Sequence, residues 1–188
     1  MKLYGSFTSP YVRHCRIVLA QTGLECEFIE TDAVASAELS PTKKVPFLID
    51  GNLTLTDSVV ILKYLREKAG QTFFPDMMDF ERFAMVNTVM DATVNIFFLE
   101  KQDNIQVSDS QYLQRQQGRV ESGLACLNQT VVTNKLPLSD GQLRLACFLD
   151  WGVYRQRINL APYPALAELL TLANTDPLFT ATAPPENP

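Results

Sequence analysis

Val45-Pro46-Phe47-Leu48-Ile49-Asp50-Gly51-Asn52-Leu53-Thr54-Leu55-Thr56-Asp57-Ser58 is the stretch that decides the fold. Val45 to Ile49 is a compact apolar run, short enough for a buried strand. Asp50-Gly51 favours a tight hairpin turn, and Leu53-Thr54-Leu55-Thr56 then alternates as the returning strand. Asp57-Ser58 opens a helix, because an aspartate or serine oxygen accepts from the unpaired amides of a first helical turn. Ile61, Leu62, Leu65 and Ala69 follow on its apolar side, and Gly70 ends it. Two antiparallel strands and a helix are thus expected between residues 45 and 70.

Upstream, Lys2 to Phe7 reads as a strand that turns at Thr8-Ser9-Pro10 into a helix running to about Thr22. Serine before a proline is a favoured cap, and proline at the first helical position loses no hydrogen bond. Val12, Cys15 and Leu19 share the apolar face, and Gly23 is the stop. Cys26 and Phe28 alternate with Glu25 and Glu27 as a second strand. The order is β-α-β, a loop or short helix, then β-β-α. A crossover helix makes the first strand pair parallel and the hairpin adds antiparallel strands, which gives a mixed sheet.

Beyond Gly70 the pattern becomes helical. One period carries Phe83, Val86, Met90 and Phe97, and the next carries Leu113, Val120, Leu124 and Leu127. A third begins at Ser139 with Leu143, Cys147, Trp151 and Tyr154, and Ser139-x-x-Gln142 fits a capping box. Pro164 starts a last short helix with Leu166 and Leu170, and the tail from Ala183 to Pro188 is expected to be loose. The expected division is an α/β domain over 1–72, a linker over 73–80 and an all-α domain over 81–188.

Composition narrows the function classes. A net charge of −5 lacks the basic footprint of a nucleic-acid binder. Cys15, Cys26, Cys126 and Cys147 have neither zinc-ligand nor disulfide-framework spacing, so buried thiols in a reducing compartment are expected. His14, the single histidine, lies off the apolar face of the first helix and reads as exposed, while Cys15 reads as core. Trp151 and the Phe-rich helix from Asp79 to Leu99 read as core as well. No apolar run reaches membrane-spanning length and no signal-peptide core is present. A cytoplasmic protein without a metal, nucleic-acid or membrane partner is the expectation.

Four stretches, in this order, resemble a cytosolic glutathione transferase of bacterial, serine-type pattern. They are Ser9-Pro10-Tyr11-Val12-Arg13, Ser40-Pro41-Thr42-Lys43-Lys44-Val45-Pro46-Phe47-Leu48, Thr56-Asp57-Ser58-Val59-Val60-Ile61 and Tyr163-Pro164-Ala165-Leu166. The resemblance spans essentially the whole chain and implies a thioredoxin-like domain followed by a helical one. It implies a cis Val45-Pro46 bond that frees the Val45 backbone to pair with the cysteinyl part of glutathione. Ser58 and its helix start would receive the γ-glutamyl carboxylate, Asp57 the ammonium end, and Lys44 would lie near the glycyl part. Ser9 takes the place of the hydroxyl that activates the thiol, with Thr8 as rival donor and Ser6 a weaker one. A free thiol has a pKa of about 8.5 and each unit of lowering needs about 1.4 kcal/mol. A hydroxyl and a helix N-terminus together supply on the order of 1–3 kcal/mol.

The resemblance further implies glutathione as co-substrate, a small electrophilic, hydrophobic or peroxide second substrate, a homodimer involving the helix after Asp79, and a detoxification role. Phe7, Tyr11 and the face of that helix are plausible walls for the second substrate. On local sequence alone, Ser9 and Asp57-Ser58 are only helix caps and Pro46 an edge-strand proline. Ser40 stands where the family commonly has asparagine, Lys43 where it often has glycine, and Gln142 where it has the capping aspartate of its sixth helix. Thr31 to Lys44 looks short for a full second helix, so contacts to the glycyl end are expected to be reduced or different. Two rival functions follow. One is a non-catalytic, transferase-fold adaptor for a protein partner, like the stringent starvation proteins, which tend to lose the glutathione contacts retained at Pro46, Asp57 and Ser58. The other is thiol–disulfide exchange, against which serine rather than cysteine at position 9 argues.

Overall fold

A computed structural model of the chain describes residues 1–74, 76–131 and 135–185. The chain forms two compact units, one of Met1–Pro75 with Asn174–Pro188 and the other of Asp76–Ala173.

In the first unit, β1 (Lys2–Gly5), α1 (Pro10–Thr22) and β2 (Glu27–Glu30) are followed by α2 (Ala33–Leu39), β3 (Phe47–Asp50), β4 (Leu53–Leu55) and α3 (Ser58–Lys68). The strands form one sheet in the order β2-β1-β3-β4, with β1 parallel to β2 and antiparallel pairs elsewhere. This is the expected mixed sheet. β1 stops at Gly5, two residues short of Phe7, because the Ser9 amide turns back onto the Ser6 carbonyl at 3.1 Å. Gly5 is needed there, since a Cβ on it would stand 2.5 Å from a Val12 methyl. The hairpin turn places Gly51 at φ +59°, a left-handed conformation glycine adopts without strain. Gly23 ends α1 at φ +65°. The second helix is formed but has only seven residues.

The second unit is helical: α4 (Met77–Asp103), α5 (Gln111–Thr130), α6 (Asp140–Tyr154) and α7 (Pro164–Ala173), with a short 3-10 turn at Val107–Asp109. The four α4 positions read as a core stripe, Phe83, Val86, Met90 and Phe97, are buried, as are Leu113, Val120, Leu124 and Leu127 of α5. The Ser139–Gln142 capping box forms at the start of α6. A capping carboxylate comes in addition from α4. Asp79, itself buried, accepts from the Ser139 hydroxyl and from the Gly141 amide at 3.0 Å.

Four expectations need correction. His14 is fully buried rather than exposed, because α1 packs against α3 and also against α8 (Pro177–Ala181). That helix was not anticipated, so the one at Pro164 is not the last. Its signal is present in Asp176-Pro177, a cap followed by a first-turn proline. Phe80 and Phe98 are 42% and 46% exposed, so the Phe-rich helix is not all core. At 27 residues α4 turns its side chains through every direction, and its apolar burial is confined to the stripe from Phe83 to Phe97. Cys15 and Cys147 are buried as expected of core thiols, but Cys26 and Cys126 are partly exposed. Of the tail, Glu186 to Pro188 lie outside the described residues.

Candidate active site

The register of the sheet brings three chain segments to one end of it. Tyr4 pairs with Phe47, so the end of β1 lies beside the start of β3. Leu48 pairs with Leu55, so the end of β4 reaches the same place. Thr8-Ser9 follows β1, Val45-Pro46 precedes β3, and Asp57-Ser58 follows β4. Topology alone gathers residues separated by almost fifty positions in the chain.

Ser9 is the N-cap of α1, with extended backbone, and its Oγ accepts from the Val12 amide at 3.4 Å. That contact uses an oxygen lone pair and leaves the O–H proton for a further acceptor. The Thr8 hydroxyl is 3.1 Å from that of Ser6, and the Ser6 oxygen also accepts from the Thr8 amide at 3.3 Å. Ser6 and Thr8 therefore tie each other, while Ser9 faces the helix start.

The Val45-Pro46 peptide bond is cis. Pro46 is buried and Val45 half-buried, at the lip of the sheet. Asp57 caps α3, its Oδ1 accepting from the Val59 amide at 2.9 Å. The following Ser58 is the first helical residue and is buried. Lys44 reaches this point as well, with Nζ 3.5 Å from the Asp57 Oδ2. Both side chains are about half exposed, so this ion pair is worth at most about 1 kcal/mol. It ties two sequence-predicted residues across the mouth of the cluster. Two helix N-termini, those of α1 and α3, thus open at one end of the sheet and give it a positive partial charge.

Sequence reasoning missed Arg13. One turn below Ser9, it is buried, stacks on Phe179 at 3.9 Å and donates to the Phe179 carbonyl at 2.9 Å. Arg16 donates to the Thr182 carbonyl at 3.3 Å. Burial, and then the neighbouring Arg13 charge, lower the Arg16 pKa from the usual arginine value. Both arginines fasten the returning C-terminal segment to α1. Two basic residues three apart on a helix are the only local hint of it, and they read equally as a solvated face.

Among the described residues no group of histidine, cysteine, aspartate or glutamate side chains has the arrangement to hold a metal ion. Nor is any described helix long and apolar enough to cross a membrane.

A four-stranded mixed sheet entered through a βαβ unit and closed by a hairpin and helix defines a thioredoxin-like domain, here followed by a helical domain. Residues 3–73 match the glutathione S-transferase N-terminal domain family. Over its full length the chain is 24% identical to glutathione S-transferase Z1 of Arabidopsis thaliana, covering 93% of that protein. A glutathione S-transferase from Methylobacillus flagellatus KT, crystallised with glutathione bound, superposes with a TM-score of 0.85 at 26% identity, covering 98% of this chain and 99% of that one. A stringent starvation protein A homologue from Pasteurella multocida is 36% identical over 72 residues, 36% of this chain and 34% of that protein. The chain thus carries a glutathione S-transferase N-terminal domain over residues 3–73 and is similar along its whole length to glutathione S-transferases in sequence and fold.

Proposed function

We propose that this chain binds glutathione at the sheet end built by residues 8–9, 44–46 and 57–58, and presents its thiolate for attack on an electrophilic carbon or a peroxide. The observation that carries this reading is the convergence of the Ser9 turn, the cis Val45-Pro46 bond and the Asp57-Ser58 helix start. The Val45 backbone pairs with the cysteinyl segment as an added strand does. Ser58 and the α3 N-terminus take the γ-glutamyl carboxylate, Asp57 the ammonium group, and Lys44 the glycyl end. Binding then replaces the Lys44–Asp57 ion pair by two ligand contacts of matching charge.

Ser9 is the assigned sulfur partner, because its Oγ accepts from the helix and its proton remains to be donated. Thr8 is the rival, held to Ser6 by their shared hydrogen bond. In this reading residues 1–72 form the glutathione-binding domain, 73–80 the linker and 81–188 the domain for the second substrate. The protein acts in the cytoplasm as a homodimer through the α4 side of that domain, in detoxification. A cleft of about 440 Å³ between α4 and α5, lined by Met85, Val89, Arg119 and Cys126 among others, is open to receive a partner.

Calorimetric titration with glutathione, paired with a conjugation assay on the parent and Ser9→Ala, tests the reading. Micromolar to millimolar binding with loss of conjugation in the variant is expected. Absence of heat at millimolar glutathione would refute it. The partial likeness to a stringent starvation protein keeps an adaptor in view. A stoichiometric protein partner recovered without any glutathione binding would favour that role.

A further inference from the structure

The helical unit carries charged groups that glutathione binding does not use. Three cations surround the ring of Phe97 near the end of α4. The Arg157 guanidinium lies 5.1 Å from its centroid, Lys101 Nζ 5.5 Å and the Arg155 guanidinium 5.6 Å. Arg155 also stacks 4.8 Å over the ring of Tyr154. Glu100 pairs with Arg157. Among the described residues, neither Lys101 nor Arg155 has a carboxylate within ion-pair distance.

Helix ends account for part of this. Lys101 lies in the last turn of α4 and Arg155 is the C-cap of α6, where cations offset the negative end of the dipole. The dipole does not account for a second observation. The Arg155 Nε and the Tyr154 hydroxyl are both buried and meet no hydrogen-bond partner. A buried donor without an acceptor costs free energy, and folded proteins pair nearly all of them. Two adjacent residues, Tyr154 and Arg155, thus lack an acceptor, and Arg155 and Lys101, both beside the Phe97 ring, lack a counter-charge. An oxyanion supplies both.

We propose that Arg155, Tyr154 and Lys101 form a binding site for an oxyanion, the carboxylate or phosphate group of a small molecule. The guanidinium fork gives directional hydrogen bonds to such a group, and Lys101 adds an adaptable point charge. Phe97 and Tyr154 hold the guanidinium plane through their faces. The site goes beyond the glutathione reading and uses none of its residues.

The fold supplies a reporter. Trp151, the single tryptophan of the chain, meets Phe97 edge-on at 5.6 Å. Its emission is to be followed during titration of the full chain with inorganic phosphate and, separately, malonate at constant ionic strength, with chloride as control. A saturable change with one or both oxyanions and none with chloride is expected. A response to phosphate alone identifies a phosphate carrier, and to malonate alone a carboxylate carrier. Arg155→Gln should raise half-saturation about tenfold or more. Lys101→Gln should raise it about two- to fivefold. Tyr154→Phe should weaken binding without lowering the thermal midpoint, because it deletes a donor that has no partner in the free protein. No saturable response to either oxyanion would overturn the assignment. So would a half-saturation unchanged in both Lys101→Gln and Tyr154→Phe, two variants that keep the fold even if Arg155→Gln does not.

Discussion

Asp79 joins the helices of the second unit at the point where α6 begins, and removing it tests that role directly. The carboxylate is 4% exposed and serves three donors. Its Oδ1 takes the Ser139 hydroxyl and, at 2.8 Å, an Arg82 N–H, while Oδ2 takes the buried Gly141 amide at 3.0 Å. Gly141 has no alternative acceptor in reach of its own helix, because first-turn amides have none. In Asp79→Ala that amide is orphaned, at about 1–3 kcal/mol. Losing the capping carboxylate adds about 0.5–2 kcal/mol. The Arg82 guanidinium, 16% exposed, loses its carboxylate partner. The expected total is about 1.5–5 kcal/mol, a large share of the ~5–15 kcal/mol by which domains are stable. Asp79→Asn keeps one carbonyl acceptor and the shape, so roughly half that loss is expected. Urea unfolding followed by Trp151, which sits on α6 itself, reads both variants. If Asp79→Ala cost less than about 1 kcal/mol with an unchanged urea slope, the capping argument would fail.

Gly5→Ala should destabilise by about 1–3 kcal/mol, because its Cβ would meet two Val12 methyls at 2.5 and 2.7 Å; a urea midpoint equal to the parent would contradict this. Ser9→Ala should lower stability by about 1 kcal/mol through the lost cap and, in the proposed reaction, slow conjugation by about ten- to a hundredfold. Thr8→Val should leave the rate within about threefold, since its hydroxyl is already held by Ser6. A reversal of these two effects in steady-state assays would move the sulfur contact to Thr8. Asp50 accepts from Lys68 at 2.7 Å and Tyr64 at 2.6 Å, and these bonds, that of Lys68 first, hold its carboxyl below the usual aspartate range. The same contacts raise Lys68 above the usual lysine range. Asp50's contribution is therefore complete above about pH 4 and lost as pH falls through its lowered value, and Lys68's is lost only as pH rises past about 10. The difference in thermal midpoint between the parent and Asp50→Asn should stay constant across neutral pH and close in acid. A gap that widened in acid would show the sign to be wrong.

What the sequence made legible is what local chemistry determines. Asp50-Gly51 dictates a hairpin because the turn needs a residue at positive φ, and Pro10 behind Ser9 dictates a helix start because both residues fit only there. Period and caps together then mark the starts near Met77, Asp140 and Pro164, whereas α8 went unread. The misses share one cause: they depend on what a surface meets. His14 lies outside the apolar stripe of α1 and is nevertheless buried, since both α3 and the returning α8 pack on that helix. Arg13 on the same helix carries charge and is buried for the same reason. No property of positions 10 to 22 contains the information that residues 177 to 182 will return.

The Asp79 contact shows how a departure from a family pattern can be made good elsewhere. The resemblance leads one to look for an aspartate at position 142, and the chain has glutamine. An amide closes the capping box on the Ser139 backbone at 3.0 Å but brings no charge to the start of α6. Charge comes from Asp140 in the first turn and from α4, sixty residues away, on the carboxylate that also takes the Gly141 amide. A helix N-terminus needs acceptors and negative charge and is indifferent to which segment provides them. A glutamine in the box therefore leaves the start of α6 with two carboxylates, those of Asp140 and Asp79, of which Asp79 takes the Gly141 amide. Returning the family residue as Gln142→Asp should recover part of the stability lost in Asp79→Ala, yet add little to the parent. Equal gains in both backgrounds would mean that the two carboxylates act independently.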